Sequence, residues 1–258
     1  MYFPTLPLDR RAFMTFVGGA LASVPISAFA EEMPLVGVLM GLSNDAESQA
    51  RLKAFTSGLA EQGWSVGKTL RIEYRFSESD FQRMEAFAKE LVTLRPNCIL
   101  GHSTPVVRAL VGVTRTIPIV FVAVQDPVGS GFVASIPRPG ANVTGFTLVR
   151  SSITGKYLSL LRELVPQLAY VALVYNPESV NDEELLRNFI ETAARLKIEP
   201  IITQVRSEAD VEIGIARLTE KQNIAFVLLP DNFVAFHRNL FVSLSARYRI
   251  PAIYPYRY

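Results

Sequence analysis

The chain has 258 residues, 49% of them apolar and 19% charged, with 26 basic against 24 acidic side chains and a formal net charge of +2. Such a composition excludes global disorder, and near-balanced charge without a basic tract or acidic tail argues against a nucleic-acid partner. The single cysteine, Cys98, and the two histidines, His102 and His237, exclude a disulfide framework and a cysteine-rich or multi-histidine metal cluster, so no metal or other cofactor is expected.

Residues 1–30 read as an export signal. Arg10 and Arg11 precede an uncharged, apolar or small stretch from residue 13 to 29, and Ala28-Phe29-Ala30 offers the small residues a signal peptidase needs. The apolar run is short for a membrane span, which favours cleavage near Ala30 over anchoring. Arg10-Arg11-Ala12-Phe13-Met14 resembles the twin-arginine pattern, with Asp9 and Thr15 as departures, and an ordinary secretory signal is the alternative. No cysteine stands near the cleavage point to take a lipid, so a freely diffusing periplasmic protein is expected.

Beyond residue 32 apolar strands alternate with amphipathic helices. Residues 35–40 form a continuous apolar run, as in a strand buried on both faces. Leu52, Phe55, Leu59 and Ala60 share one face of a helix over 48–62 that Gly63 stops. A strand at 70–76, a helix at 81–94 and a strand at 98–100 follow. Pro105 then opens a helix through 113, and the next strand is 117–124. The second half repeats the order: helix 154–164, strand 170–175, helix 182–196, strand 198–205, helix 209–221, strand 225–229, helix 236–248 and strand 250–254. Cys98-Ile99-Leu100 matches Val227-Leu228-Leu229, and Ile117-Pro118-Ile119-Val120-Phe121 matches Ile250-Pro251-Ala252-Ile253-Tyr254. The fold class expected is therefore α/β, two doubly wound parallel-sheet lobes with a cleft between them. The lobes span 33–145 and 146–258, joined by a crossing within 138–152.

Enzyme motifs fare poorly. The segment from Gly63 to Thr69 is one residue short of a phosphate loop, and it follows a helix and enters a strand, the reverse of what phosphate binding requires. Gly101-His102-Ser103-Thr104-Pro105 resembles a nucleophile elbow with proline in place of the last glycine. Its serine lacks an evident base, because His102 adjoins it and His237 falls in a predicted helix of the other half. No catalytic residue is assigned, and an exported α/β hydrolase using Ser103 stands as an alternative.

In open parallel sheets a ligand sits beyond the carboxyl ends of the strands. Those ends carry Ser43, Ser103, Thr104 and Asp126 in the first half, and Tyr175, Asn176, Asp231 and Tyr254 in the second. These eight are the candidate ligand-binding residues. Ser103 and Thr104, at a helix N-terminus, suit a carboxylate. Asp126 or Asp231 suits an ammonium group, and Tyr175 and Tyr254 suit an apolar or aromatic side chain. Helix capping by Ser43, Ser103 and Asp182, and turns at Asp126-Pro127 and Asn176-Pro177, are the competing explanation.

Five stretches carry a family likeness: residues 34–39, 117–121, 125–131 (Gln-Asp-Pro-Val-Gly-Ser-Gly), 138–145 (Arg-Pro-Gly-Ala-Asn-Val-Thr-Gly) and 249–254. Through them the chain resembles the extracytoplasmic solute-binding proteins of ABC-type importers, in the branch that includes tryptophan-binding members. The resemblance implies a type I periplasmic-binding fold whose lobes close on a small solute, an amino acid or related carboxylate, without catalysis. It further implies delivery to an ABC permease and its ATPase, contact with the membrane only through that permease, and a monomer. A ligand-sensing module for a membrane receptor is the other reading. Members of the family usually run on past the second Ile-Pro strand into a tail that returns to the first lobe, so a C-terminally truncated chain with an uncovered sheet edge is expected.

Overall fold

The computed structural model describes residues 33–147, 153–180 and 183–255. The expected export signal, residues 148–152 of the expected crossing and Asp182 lie outside the described residues. From Met33 onward the chain is a single contact-connected unit holding two parallel sheets. Among the described residues no helix is long and apolar enough to cross a membrane.

The first sheet takes β1 (Leu35–Met40), β2 (Arg71–Phe76), β3 (Cys98–His102), β4 (Ile119–Val124) and β5 (Val143–Thr147) in the order β2-β1-β3-β4-β5. All neighbours are parallel, for example Gly37 opposite Ile99 and Leu100 opposite Val120. Helices α1 (Ala46–Glu61), α2 (Phe81–Thr93) and α3 (Thr104–Val113) make the crossovers. Because side chains alternate along each strand, the sheet has two apolar faces. Leu39, Ile99, Ile119 and Phe121 pack on one side with α2 and α3, and Val36, Val38, Met40 and Leu100 pack on the other with Leu52 of α1.

The second sheet takes β6 (Tyr170–Tyr175), β7 (Glu199–Gln204), β8 (Ile224–Leu228) and β9 (Ala252–Ile253) in the order β7-β6-β8-β9, again all parallel. Helices α4 (Ile153–Leu164) and α5 (Glu183–Arg195) cover one face, where Leu158, Leu185 and Phe189 meet Val171 and Leu173. The other face is covered by α6 (Glu208–Leu218), α7 (Asn232–Phe236) and α8 (Arg238–Tyr248), with Ala172, Val174 and Phe226 beneath Val211, Ile215 and Phe241. The two sheets share the inner order 2-1-3-4, as the internal sequence matches require.

Two elements differ from the sequence expectation. Residues 143–147, read as part of the crossing, form β5 at the edge of the first sheet. Gly145 disguises the strand, and the structure shows why glycine stands there: a Cβ would lie 2.1 Å from the Phe121 carbonyl oxygen and 2.6 Å from its ring. The expected helix at 236–248 is instead two pieces, with α7 starting earlier at Asn232 and His237 between α7 and α8. Gly145→Ala drives a methyl group into the backbone of β4 and is expected to cost about 1–3 kcal/mol or more, read as a lower urea midpoint with an unchanged m-value.

Candidate functional site

Every strand of each sheet ends at the same edge, and the two edges meet. Four side-chain contacts among the described residues join them. Asn232 Nδ2, after β8, donates to Ser103 Oγ, after β3, at 2.7 Å. Gln125 Nε2, after β4, donates to the Pro230 carbonyl at 2.9 Å. Arg108 of α3 donates to the Glu178 carbonyl at 3.1 Å. Arg238 at the start of α8 donates to Asp45 at 3.1 Å. The first two are buried and the last two lie nearer solvent, so the seam has a dry centre and a charged rim.

Ser103 is held unusually. Its φ of 90° and ψ of 159° lie where glycine is favoured, and it stands just before α3. A serine held there costs about 1–3 kcal/mol and persists only where its surroundings fix it. Here its N–H donates to the Val122 carbonyl at 2.9 Å, and its hydroxyl receives Asn232. That hydroxyl makes no capping bond to α3. The helix therefore presents its first-turn N–H groups without a serine cap, an arrangement that suits an anion. Thr104 is buried in that same first turn.

Asp231 is buried and its oxygens are occupied. Oδ1 accepts the Val234 N–H at 2.7 Å, capping α7, and Oδ2 accepts the Asn176 N–H at 2.9 Å, tying the end of β8 to the end of β6. Burial pushes its pKa up to about 7 against the opposing pull of the Val234, Asn176 and Phe233 N–H groups. Asn176 Oδ1 in turn accepts the Glu178 N–H at 2.8 Å. Ser103 with Asn232, and Asn176 with Asp231, are thus two hydrogen-bonded pairs, one across the sheets and one within the second, joined through the adjacent residues Asp231 and Asn232.

The other candidates lie apart from these pairs. Asp126 turns on itself, accepting the Gly129 N–H at 2.8 Å. Tyr175 is enclosed in the core of the second sheet, its hydroxyl receiving Gln204 Nε2 at 3.2 Å. The Tyr254 hydroxyl donates to the Phe241 carbonyl at 3.4 Å. Ser43 is half-buried in the loop after β1, and the cap of α1 is Asp45, which accepts the Ser48 N–H at 2.9 Å. Burial raises the Asp45 pKa, but the Ser48 N–H and the Arg238 guanidinium outweigh it and hold the carboxyl below its usual range.

Gln125 and Gly41 belong to the seam and were not among the candidates. Gln125 is 8% exposed; its Nε2 is committed to Pro230, and its Oε1 has no hydrogen-bond partner among the described residues. The amide orientation is fixed, since the reverse would set two carbonyl oxygens together. At Gly41 a Cβ would lie 2.0 Å from Asn232 Nδ2, so the end of β1 has no side chain where the amide rests. On the β2 and β7 side the seam opens into a cleft of about 670 Å³. Ser79, Asp80 and Phe81 line it from the first sheet, and Arg206, Phe233 and His237 from the second. His237 Nδ1 lies 2.9 Å from Glu208.

Among the described residues no general base stands against the serine hydroxyl. The atom on its hydroxyl is an amide donor, and His102 lies against Arg51, Nε2 to Nη1 at 3.1 Å. Burial first and then the Arg51 charge push the His102 pKa down to about 3, leaving a neutral imidazole that accepts from Arg51. The groups gathered here donate and accept hydrogen bonds, and no nucleophile–base pair is among them.

Asp231 links this geometry to pH. In the unfolded chain its proton leaves near the usual aspartate value of 3.8, whereas the folded chain retains it to about 7. The folded state therefore binds more protons between those limits, and this group's contribution to stability falls as pH rises through them. Asp231→Asn removes that slope and sets an amide N–H against a backbone N–H, at a cost of about 1–3 kcal/mol. Denaturation across pH 4 to 7 is expected to show the variant's deficit largest at the acid end and shrinking towards neutrality.

Residues 35–255 match the family model described as ABC transporter substrate binding protein. A curated tyrosine-binding protein of Clostridioides difficile is 26% identical over 201 residues, 78% of this chain and 57% of that protein. The chain thus spans somewhat more than half the length of that relative. A conserved domain protein from Vibrio cholerae superposes with a TM-score of 0.78 at 28% identity, over 86% of this chain and 73% of the other. A domain from Streptococcus pneumoniae in complex with L-Trp gives 0.77 at 24% identity, over 85% and 72%, a likeness of fold. With the match running from the first residue of β1 to beyond β9, the chain belongs to the ABC transporter substrate-binding protein family.

Proposed function

We propose that this chain captures an amino acid of the tyrosine class between its two lobes, one built on each sheet, and releases it unchanged to an ABC permease driven by its ATPase. The observation that carries the reading is the buried polar seam between facing strand ends, where hydrogen-bonding groups converge without a nucleophile–base pair. The uncapped first turn of α3 suits the solute carboxylate. Gln125 Oε1, a buried acceptor without a partner among the described residues, suits the ammonium group. The adjoining cleft, walled by Phe81, Phe233 and His237, is large enough for an aromatic side chain. The tyrosine-binding relative supports that solute class. Of the eight candidates from the sequence, Ser103, Thr104, Asn176 and Asp231 act at or behind this seam. Ser43, Asp126, Tyr175 and Tyr254 shape the surrounding loops and core.

The cellular setting follows from the same reading: export to the periplasm by a cleaved signal, a monomer in that space, and approach to the membrane through the permease. Arg10→Lys with Arg11→Lys is expected to leave the precursor in the cytoplasm, as twin-arginine export requires. Processed protein at wild-type levels in the periplasm would assign the signal to the general secretory route.

Isothermal titration with L-tyrosine, L-tryptophan, L-phenylalanine and L-leucine tests the solute class. The aromatic amino acids are expected to bind one per chain and to raise the melting temperature with concentration. Gln125→Leu, which removes the acceptor at similar size, is expected to weaken binding about tenfold or more. Heat exchange with none of the four would contradict the assignment.

A further inference from the structure

We propose that Pro230, Asp231 and Asn232 form a latch that closes the lobes directly on one another, with Asn232 as its positioning residue. The proposal rests on the lobe-closure reading above and goes beyond it, because it assigns part of the closing force to contacts that contain no solute atom.

Three observations converge on the segment. Asn232 and Ser103 are 4% and 5% exposed, stand on different sheets, and are joined by a 2.7 Å hydrogen bond. The end of β1 is notched to receive the amide, since a Cβ at Gly41 would lie 2.0 Å from Asn232 Nδ2 and 2.9 Å from Ser103 Oγ. Two residues earlier, the Pro230 carbonyl accepts Gln125 Nε2 at 2.9 Å in a second buried contact. Asp231, between them, points back into its own lobe, where it caps α7 and holds the Asn176 N–H. Alternate residues of one short segment therefore grip opposite lobes, and the carboxylate that anchors the segment fixes where the amide reaches.

Ser103 takes on a defined part. Its backbone is in a region that favours glycine, so the side chain is what the position retains. That side chain receives the latch. Ser103 thus acts on the solute through closure, and the solute's own contacts fall to the α3 N-terminus and Gln125 Oε1.

A latch of this kind stabilises the closed form whether or not solute is present. It follows that the closed form is populated in the free protein, and that apparent affinity rises in proportion to that population. Weakening the latch moves the free protein towards the open form and shortens solute residence.

The test is a pair of spin labels at Lys53→Cys and Glu191→Cys in a Cys98→Ala background, with interlobe distances read by pulsed electron paramagnetic resonance without added solute. The unaltered latch is expected to give a short-distance population. Asn232→Ala and Gly41→Ala are expected to remove it. Ser103→Gly deletes the hydroxyl and relieves the backbone, so it is expected to lose the short population while melting no lower than the parent, which separates unlatching from misfolding. In titrations with L-tyrosine the three variants are expected to bind about tenfold more weakly, through faster release. Distance distributions in Asn232→Ala and Ser103→Gly identical to the parent's would overturn the latch while leaving solute capture intact. A parent that is wholly open without solute would overturn it as well. Failure of L-tyrosine to bind the parent would count against the proposed solute, and the solute-free distances would still decide the latch.

Discussion

Each parallel strand delivers its backbone to the same edge of its sheet, so the loop after it and the first turn of the next helix gather there too. In this chain that rule operates twice. The carboxyl ends of β1 to β5 and of β6 to β9 form two polar edges, and helices pack on both faces of each sheet. Apolar packing beneath fixes where the edges stand. The seam is thus a consequence of strand direction, and its chemistry is a matter of the residues that follow the strands.

What those residues do is governed by burial. Water is excluded from the centre of the seam, so each polar group needs a partner there. Asp231 finds backbone N–H groups in its own lobe, Asn232 finds Ser103 across the gap, and Gln125 is satisfied at one end only. The outer pair, Asp45 and Arg238, keeps roughly a quarter of each side chain in solvent. Its attraction is correspondingly weak and salt-sensitive. The buried centre therefore holds the two edges together more firmly than the charged rim does.

The architecture was legible in the sequence because it is written in periodicity. Short continuous apolar runs such as Leu35–Met40 suit strands buried on both faces, and an Ile-Pro strand recurs in each half. The strand ends also carried Ser103, Asn176 and Asp231, which the structure places at the seam around Asn232. What stayed hidden depends on contacts between distant segments. Gly145 breaks a strand pattern because Phe121 lies against it, and Gly41 is small because of an amide some two hundred residues away in the chain. Tyr175 shows the converse. It occupies a strand end, but the alternation along β6 turns it into the core, where Gln204 meets its hydroxyl. Pairings such as Asn232 with Ser103 leave no local mark, although Pro230-Asp231-Asn232 directly after a buried strand is a recognisable helix-start signal.

The account stands on reversible capture of a solute that undergoes no reaction. Native mass spectrometry of the purified chain, followed by release and identification of whatever small molecule it carries, tests that most directly. One aromatic amino acid per chain, recovered with its mass unchanged after prolonged incubation, is the result predicted. A chain that takes up no amino acid across the aromatic series, or a released molecule altered in mass from the one supplied, would contradict it.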